Sequence, residues 1–341
     1  MANFQKIAKP KKIQAAGLDE ITRDDINLIT TDDDILEILE FQPWFDYELA
    51  KEIFIKLGRM YDEAIIDKEI RPLSYFICGD INSGKTTLVT RFRNIMEKRH
   101  GYKEDDVRYY EVPVRATLKR VFAGILTLFG EKITGNALRN VHTQDLVDMI
   151  IERLERNKVK VLFIDELQDL VVASPDDKKA IFTGFKKILN NCSTRLVLIG
   201  TTNARDLLYL DEWIDERLVV IDIPLWEDGE PFRELLAKIY KAYKPFVPDW
   251  DLFEVKEGKI AGYNYPVILL LLEISSGRLG KLLQIIRYVI IETIQKGQTN
   301  ISVDDYQDIF NSNVKYEIKN GAIVKKVKNR DESVENQDKN I

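Results

Sequence analysis

The chain has 341 residues, of which 45% are hydrophobic and 31% are charged, and its formal net charge is −6. This composition is typical of a soluble globular protein with one sizeable core and a smaller domain. The acidic balance argues against a protein that coats nucleic acid with its whole surface, but a local basic groove remains compatible with it.

The apolar runs and the cysteines exclude further classes. Residues 267–272 form one of the longest apolar runs, which is far too short to cross a membrane, and the N-terminal sequence MANFQKIAKPKK lacks the apolar core of a signal peptide. We therefore expect a cytoplasmic protein. Cys78 and Cys192 make no disulfide framework, and His100 and His142 lie apart from any cysteine pair, so no zinc site is expected.

The first part of the chain leads to a strand and a helix. Residues 1–42 are first basic and then acidic, which predicts an N-terminal extension that is partly flexible. Residues 48–66 carry apolar side chains at helical spacing and predict a helix packed against a sheet. Residues 73–78 are an apolar run that predicts a buried parallel strand, and residues 86–96 return to helical spacing.

A phosphate-loop pattern connects that strand and that helix. The sequence GDINSGKT at residues 79–86 satisfies GxxxxGK[ST], in which backbone N–H groups surround phosphates, the lysine neutralises them and the hydroxyl holds Mg²⁺. A glycine turn without a ligand is the alternative. The residues predicted to bind the nucleotide are Gly79, Asp80, Ile81, Asn82, Ser83, Gly84, Lys85, Thr86 and Thr87, with Thr86 also a metal ligand.

A second signature follows further along the chain. Residues 107–112 predict a strand, a helix begins at Thr143, and the apolar run 161–164 ends at Asp165 and Glu166. Two carboxylates do not help a buried strand to pack. In P-loop proteins the first supports Mg²⁺ and the second activates water. We therefore assign Asp165 to the metal and Glu166 to the general base; an exposed acidic turn is the alternative.

The remaining elements complete an α/β unit and lead into helices. Residues 195–200 predict another buried strand, after which the amide of Asn203 is suited to holding water or sensing a terminal phosphate, with a simple turn as the alternative. Residues 218–223 predict a further strand that is closed by Pro224. The alternation of strands and helices predicts a parallel sheet with helices on both faces. Beyond Trp226 the pattern predicts only helices.

These elements divide the chain into four predicted segments. They are an N-terminal extension at residues 1–42, an α/β nucleotide-binding domain at 43–224, a small helical lid at 225–312, and a flexible, lysine-rich and then acidic C-terminal tail at 313–341.

Five segments taken together resemble the TniB and TnsC family of AAA+ transposition regulators: GDINSGKTT, VLFIDELQDL, LVLIGTTNA, DERLVVIDIPLW and GRLGKLLQIIRYVIIETI. The similarity covers roughly residues 43–312. It implies an AAA+ P-loop ATPase that uses ATP and Mg²⁺ and oligomerises on duplex DNA as a ring or a helical filament. It also implies that the protein connects a TniQ-like target-selection protein to a transposase and is remodelled by hydrolysis.

The resemblance also implies roles for single residues. Arg217 matches the arginine finger that reaches a neighbouring subunit's nucleotide, with an internal salt bridge to Asp211, Asp215 or Glu216 as the alternative. Thr201 competes with Asn203 for the phosphate-sensing role. The usual lid arginine is replaced by Gly280, so Lys281 or Arg278 is expected to make its contact, or the contact is missing.

For DNA, the resemblance implies that the stretch after the second strand faces the central channel of the assembly. The candidates for phosphate contact are Thr117, Lys119 and Arg120, with Lys103 and Arg115 as weaker ones, and a solvated helix face is the alternative.

Three rival functions differ from this interpretation. A GTPase would require the DxxG and NKxD motifs, which the residues after Asp165 and around Asn203 do not match. An AAA+ signalling ATPase that binds no DNA would keep the same nucleotide motifs. An origin initiator or helicase loader would be expected to carry a winged-helix domain after residue 312.

Overall fold

The computed structural model describes residue 38 and residues 43–66, 73–114, 117–170, 173–210, 218–256, 259–312, 314–319 and 322–327. The chain divides into two compact units. One contains residues 46–227 and 275–283, and the other contains the described parts of 1–45, 228–274 and 284–341. Within the described ranges, no helix combines the length and the hydropathy that a bilayer crossing requires.

The first unit is built on a five-stranded parallel sheet with the strand order β2-β3-β4-β1-β5. The strands are β1 (Ser74–Gly79), β2 (Val107–Glu111), β3 (Val161–Asp165), β4 (Arg195–Gly200) and β5 (Leu218–Ile223). Every residue of β3 and β4 is buried, as expected for central strands of a sheet covered on both faces. Because β4 lies between β1 and β3, the carboxyl ends of these three strands lie side by side, where ligands bind in open α/β sheets.

The helices of this unit are α1 (Glu48–Ile66), α2 (Lys85–Glu97), α3 (Leu118–Thr127), α4 (Gly135–Asn140), α5 (Thr143–Arg156) and α6 (Pro175–Asn191). Their apolar spacing places side chains in one core: Leu146, Ile150 and Leu154 of α5 are completely buried. The start of α6 is encoded locally. Ser174 caps the helix by accepting a hydrogen bond from the backbone N–H of Asp177, and Pro175 follows at the first helical position.

A buried polar cluster fastens α1 to the sheet. The carboxylate of Asp106, just before β2, accepts hydrogen bonds from Tyr61 Oη at 2.6 Å, Lys160 Nζ at 2.9 Å and the backbone N–H of Lys103 at 2.9 Å. The ammonium of Lys160 also lies over the Tyr61 ring. The charged groups are therefore paired, which burial requires.

The second unit departs from the all-helical prediction. It contains α7 (Glu230–Tyr243), α8 (Tyr265–Ser275) and α10 (Val303–Ser312), together with the longer part of α9 (Leu279–Gln295), which begins in the first unit. It also contains an antiparallel hairpin of β6 (Phe253–Lys256) and β7 (Lys259–Tyr263). The prediction of helices throughout was wrong here because neither strand is a continuous buried apolar run: beyond Phe253 the residues of β6 are exposed. Phe253 is buried against Tyr240, with ring centroids 5.1 Å apart.

A second hairpin lies in the segment for which the sequence predicted a flexible tail. The strands β8 (Val314–Lys319) and β9 (Ala322–Val327) pair in antiparallel fashion, with Lys319 opposite Ala322. Residues 320–321 separate the two strands in the sequence. Their sequence is Asn-Gly, the dipeptide that most strongly favours a two-residue hairpin turn.

Candidate nucleotide-binding site

The predicted phosphate loop leaves β1 at Gly79 and enters α2 at Lys85. Gly84 has φ +98°, in the left-handed region where glycine is favoured, and Asn82 also has positive φ at +62°. Gly79 has no room for a side chain, because a Cβ there would lie 2.9 Å from Ser83 Oγ and 3.0 Å from Ile223 Cβ. The glycines thus permit a tight loop ahead of the helix N-terminus, where backbone N–H groups favour anions.

Lys85 lies within the loop. Its Nζ donates to the carbonyl oxygens of Gly79 and Asp80, each at 2.7 Å. Burial lowers the pKa of Lys85, and the negative charges of Asp165 and Glu166 oppose that shift. The lysine is therefore a buried cation that the loop backbone holds at the centre of the predicted phosphate site.

Asp165 ends β3 and is 1% exposed. Its Oδ2 accepts hydrogen bonds from Thr86 Oγ1 at 3.0 Å and Tyr109 Oη at 2.7 Å, and its Oδ1 accepts one from the backbone N–H of Glu166 at 2.7 Å. Burial and the contact with Asp165 raise the pKa of Tyr109, so this hydroxyl remains a donor.

The donor set around Asp165 fits Mg²⁺. Hydroxyl and carboxylate oxygens are the ligands that Mg²⁺ prefers, and Thr86 Oγ1 and Asp165 Oδ2 already lie 3.0 Å apart. Within the described ranges, no group of three or more His, Cys, Asp or Glu side chains forms a metal cage.

Glu166 follows Asp165 with φ +60°, a conformation that few non-glycine residues adopt. Burial raises the pKa of Glu166, and the neighbouring charge of Asp165 adds to the shift. Its Oε2 accepts a hydrogen bond from Gln168 Nε2, while Gln168 Oε1 accepts one from the backbone N–H of Thr201 at 3.1 Å. The carboxylate is therefore held in place from the end of β4.

The two candidate phosphate sensors differ in exposure. Thr201 is 8% exposed and follows β4 directly, whereas Asn203 is exposed on the 3₁₀ segment Thr202–Leu210. Thr202 Oγ1 lies 3.5 Å from Asp80 Oδ1 in the phosphate loop. Thr201 and Asn203 are therefore the two neighbours of a residue that approaches the phosphate loop.

The turn before α9 contacts the phosphate loop within the first unit. Arg278 Nη2 lies 3.0 Å from Asp80 Oδ2, and the backbone N–H of Gly280 donates to Asn82 O at 2.8 Å. A Cβ at residue 280 would lie 2.9 Å from Asn82 O, which explains the glycine where a lid arginine was expected. Lys281 is half-buried, and burial together with the charge of Arg278 lowers its pKa.

Three side chains of the site escaped sequence reasoning: Tyr109, Gln168 and the carboxylate of Asp80 as a partner of Arg278. Gln168 lies two residues after Glu166, so its position in DELQD was the available signal. For Tyr109 the sequence signal was weaker: it is a hydroxyl-bearing side chain in the strand that pairs with β3. The pairing of Asp80 with Arg278 spans 198 residues of sequence and had none.

Two predicted residues, Arg217 and Arg115, lie outside the described residues, as do Asp211, Asp215 and Glu216. Of the DNA candidates, Thr117 precedes α3, and Lys119 and Arg120 lie in its first turn. Lys119 Nζ donates to Arg139 O at 2.7 Å.

Lys103 stands apart from these DNA candidates. It precedes β2, whereas they follow it, so it lies at the opposite end of that strand.

The sheet order and the loop site define the class: the chain has the AAA+ P-loop NTPase fold. Among solved structures it is similar to the Aeropyrum pernix ORC1 protein in complex with DNA, with 17% identity and a TM-score of 0.55 over 80% of this chain and 67% of that chain. It is also similar to Cdc6p from Pyrobaculum aerophilum, with 13% identity and a TM-score of 0.55 over 81% and 69%. A third similar structure is Drosophila ORC bound to DNA, with 15% identity and a TM-score of 0.53 over 90% of this chain and 69% of that chain.

A protein-family model described as bacterial TniB protein matches residues 36–228, which is more than half of the chain. The chain belongs to the TniB family of AAA+ ATPases. A search of the curated proteins found no significant match. The family named by the five sequence segments is thereby confirmed.

Proposed function

We propose that the protein is an ATP-dependent, DNA-binding regulator of transposition that oligomerises on duplex DNA. In this role it connects a TniQ-like target-selection protein to a transposase and is remodelled when ATP is hydrolysed. Membership of the TniB family supports the assignment to transposition. The observation that carries the dependence on ATP is the 3.0 Å contact between Thr86 Oγ1 and Asp165 Oδ2, with Glu166 as the next residue.

Each side chain of the site has a proposed task. Lys85 neutralises phosphate charge, Thr86 and Asp165 hold Mg²⁺, and Glu166 accepts a proton from the attacking water. Bound Mg²⁺ supplies further neutralisation of the β- and γ-phosphates. Glu166 directly follows the proposed metal ligand Asp165, and Gln168 Nε2 donates a hydrogen bond to its carboxylate, so the proposed base is held beside the phosphate loop.

The lid and the neighbouring subunit complete the proposed site. Arg278 is the better placed candidate for the lid contact, since its guanidinium already lies against the loop at Asp80. Lys281 is the second candidate. Arg217 is proposed to reach the nucleotide of the next subunit, and a head-to-tail contact of this kind builds either a ring or a filament.

Loss of the loop lysine tests the dependence of assembly on ATP. We expect Lys85→Ala to abolish nucleotide binding and the ATP-dependent assembly on duplex DNA that electron microscopy would show for the wild type. Lys98→Ala, at an exposed lysine after α2, is the matched control and should assemble normally. Robust DNA-bound assemblies of Lys85→Ala would overturn the proposal.

The DNA contacts are tested by salt dependence. Replacing Lys119 and Arg120 with alanine removes two cations, so the slope of log K against log salt should become shallower by about 1 for each lost phosphate contact. An unchanged slope rejects this surface. If the wild type binds no duplex DNA with a non-hydrolysable ATP analogue, the protein is instead an AAA+ signalling ATPase without a DNA function.

A further inference from the structure

The amide of Gln168 connects two parts of the site that come from different strands. Its Nε2 donates to the Glu166 carboxylate, and its Oε1 accepts from the backbone N–H of Thr201 at 3.1 Å. Glu166 follows β3, and Thr201 follows β4. One side chain thus bridges the proposed general base and the start of the segment with both candidate phosphate sensors.

The chemistry of the two partners fixes the orientation of the amide. A carboxylate only accepts hydrogen bonds and a backbone N–H only donates them, so the NH₂ group must face Glu166 and the oxygen must face Thr201. The opposite orientation would place an oxygen against the carboxylate and an NH₂ group against an N–H. The bridge therefore has one satisfied arrangement.

Close packing at the end of β4 makes this bridge possible. A Cβ at Gly200 would lie 2.9 Å from Ala204 Cβ and 3.2 Å from Leu167 Cβ, and 3.5 Å from Gln168 Oε1. The glycine thus lets the end of β4 approach the turn after β3. Glu166 itself has φ +60°, a conformation that persists only when neighbouring contacts hold it.

We propose that Gln168 is a positioning residue, which sets the orientation of the Glu166 carboxylate from the backbone of Thr201. A shift of residues 201–203 when a phosphate is bound then moves the proton acceptor as well. This inference rests on the proposed role of Glu166 in ATP hydrolysis. A misplaced catalytic group can reduce the rate by about 100-fold without weakening substrate binding.

Two substitutions separate the two ends of the bridge. Gln168→Ala removes both contacts, so hydrogen exchange of the Thr201 amide should become faster. The kcat for ATP hydrolysis should fall about 100-fold. The affinity for a fluorescent ADP analogue should stay within twofold of the wild-type value. Gln168→Glu keeps an oxygen for Thr201 but presents a second carboxylate to Glu166. It should retain slow Thr201 exchange and still lose kcat. Gln144→Ala, at an exposed glutamine of α5, should change none of these values.

The results for these variants decide whether Gln168 has the proposed positioning role. Wild-type kcat in Gln168→Ala, or unchanged Thr201 exchange in that variant, overturns it. If Gln168→Ala does not fold, wild-type kcat in Gln168→Glu overturns it instead. Glu166→Gln serves as the reference: full activity in that variant refutes the proposed base, whereas an inactive Glu166→Gln beside a fully active Gln168→Ala refutes only the positioning role.

Discussion

The carboxylate of Asp106 is expected to stabilise the first unit strongly, and Asp106→Ala tests this. The side chain is 2% exposed and accepts hydrogen bonds from Tyr61, Lys160 and the backbone of Lys103. Its removal leaves Lys160, whose side chain is 19% exposed, without its ion-pair partner. Removing one member of a buried pair typically costs about 3–5 kcal/mol of unfolding free energy.

Urea unfolding at pH 7 measures this loss, and a nearby exposed pair supplies the control. Asp62 and Arg99 form an ion pair at 2.7 Å whose side chains are 41% and 44% exposed. Exposed pairs contribute only about 0–1 kcal/mol, so Asp62→Ala should shift the midpoint little. A loss below about 1 kcal/mol for Asp106→Ala would refute the view that this cluster fastens α1 to the sheet.

The same cluster predicts how stability depends on pH. Burial alone would raise the pKa of Asp106, but hydrogen bonds from Tyr61, Lys160 and the Lys103 backbone hold it below the usual 3.8. A folded pKa below the unfolded value gives stability that is fully present above pH 3.8 and is lost as pH falls through the lower folded pKa. The advantage of the wild type over Asp106→Ala should shrink across that acidic range, and a constant difference would contradict the assignment.

Two further substitutions probe the turn before α9. Arg278→Ala should weaken nucleotide binding about 10- to 100-fold, since a lost charged hydrogen bond costs about 1.5–3 kcal/mol. Lys281→Ala should weaken it less, and equal losses in a fluorescence titration would argue against Arg278 as the lid contact. Gly277→Ala should lower the thermal midpoint, because residue 277 has φ +67° and a Cβ there would lie 2.4 Å from Trp226 O. Gly58→Ala, in α1 with open space around its Cβ, should not lower the midpoint.

Much of the first unit could be predicted because its signals are local. The buried runs at residues 161–164 and 195–200 are continuous and apolar, and the glycines of the phosphate loop serve a backbone conformation that the motif itself encodes. Asp165 and Glu166 were assigned correctly to the end of a buried strand for the same reason. The side chains that donate hydrogen bonds to these two carboxylates were not all predicted.

The missed features depend on contacts between distant residues. Gln168 meets Thr201 because β3 pairs with β4, and strand order is not encoded within any single segment. Arg278 reaches Asp80 across most of the chain. The hairpin at residues 314–327 is different, because its Asn-Gly dipeptide between alternating apolar residues was a local signal that the composition of the tail obscured.

The central claim is that Thr86, Asp165 and Glu166 form one site that hydrolyses ATP with Mg²⁺. Its most direct test is the release of inorganic phosphate from ATP by the wild type and by Glu166→Gln on duplex DNA, with the affinity for ATP measured in both. We expect Mg²⁺-dependent turnover by the wild type and its loss in Glu166→Gln, while ATP still binds. Equal turnover by both proteins, or none by the wild type, would contradict it.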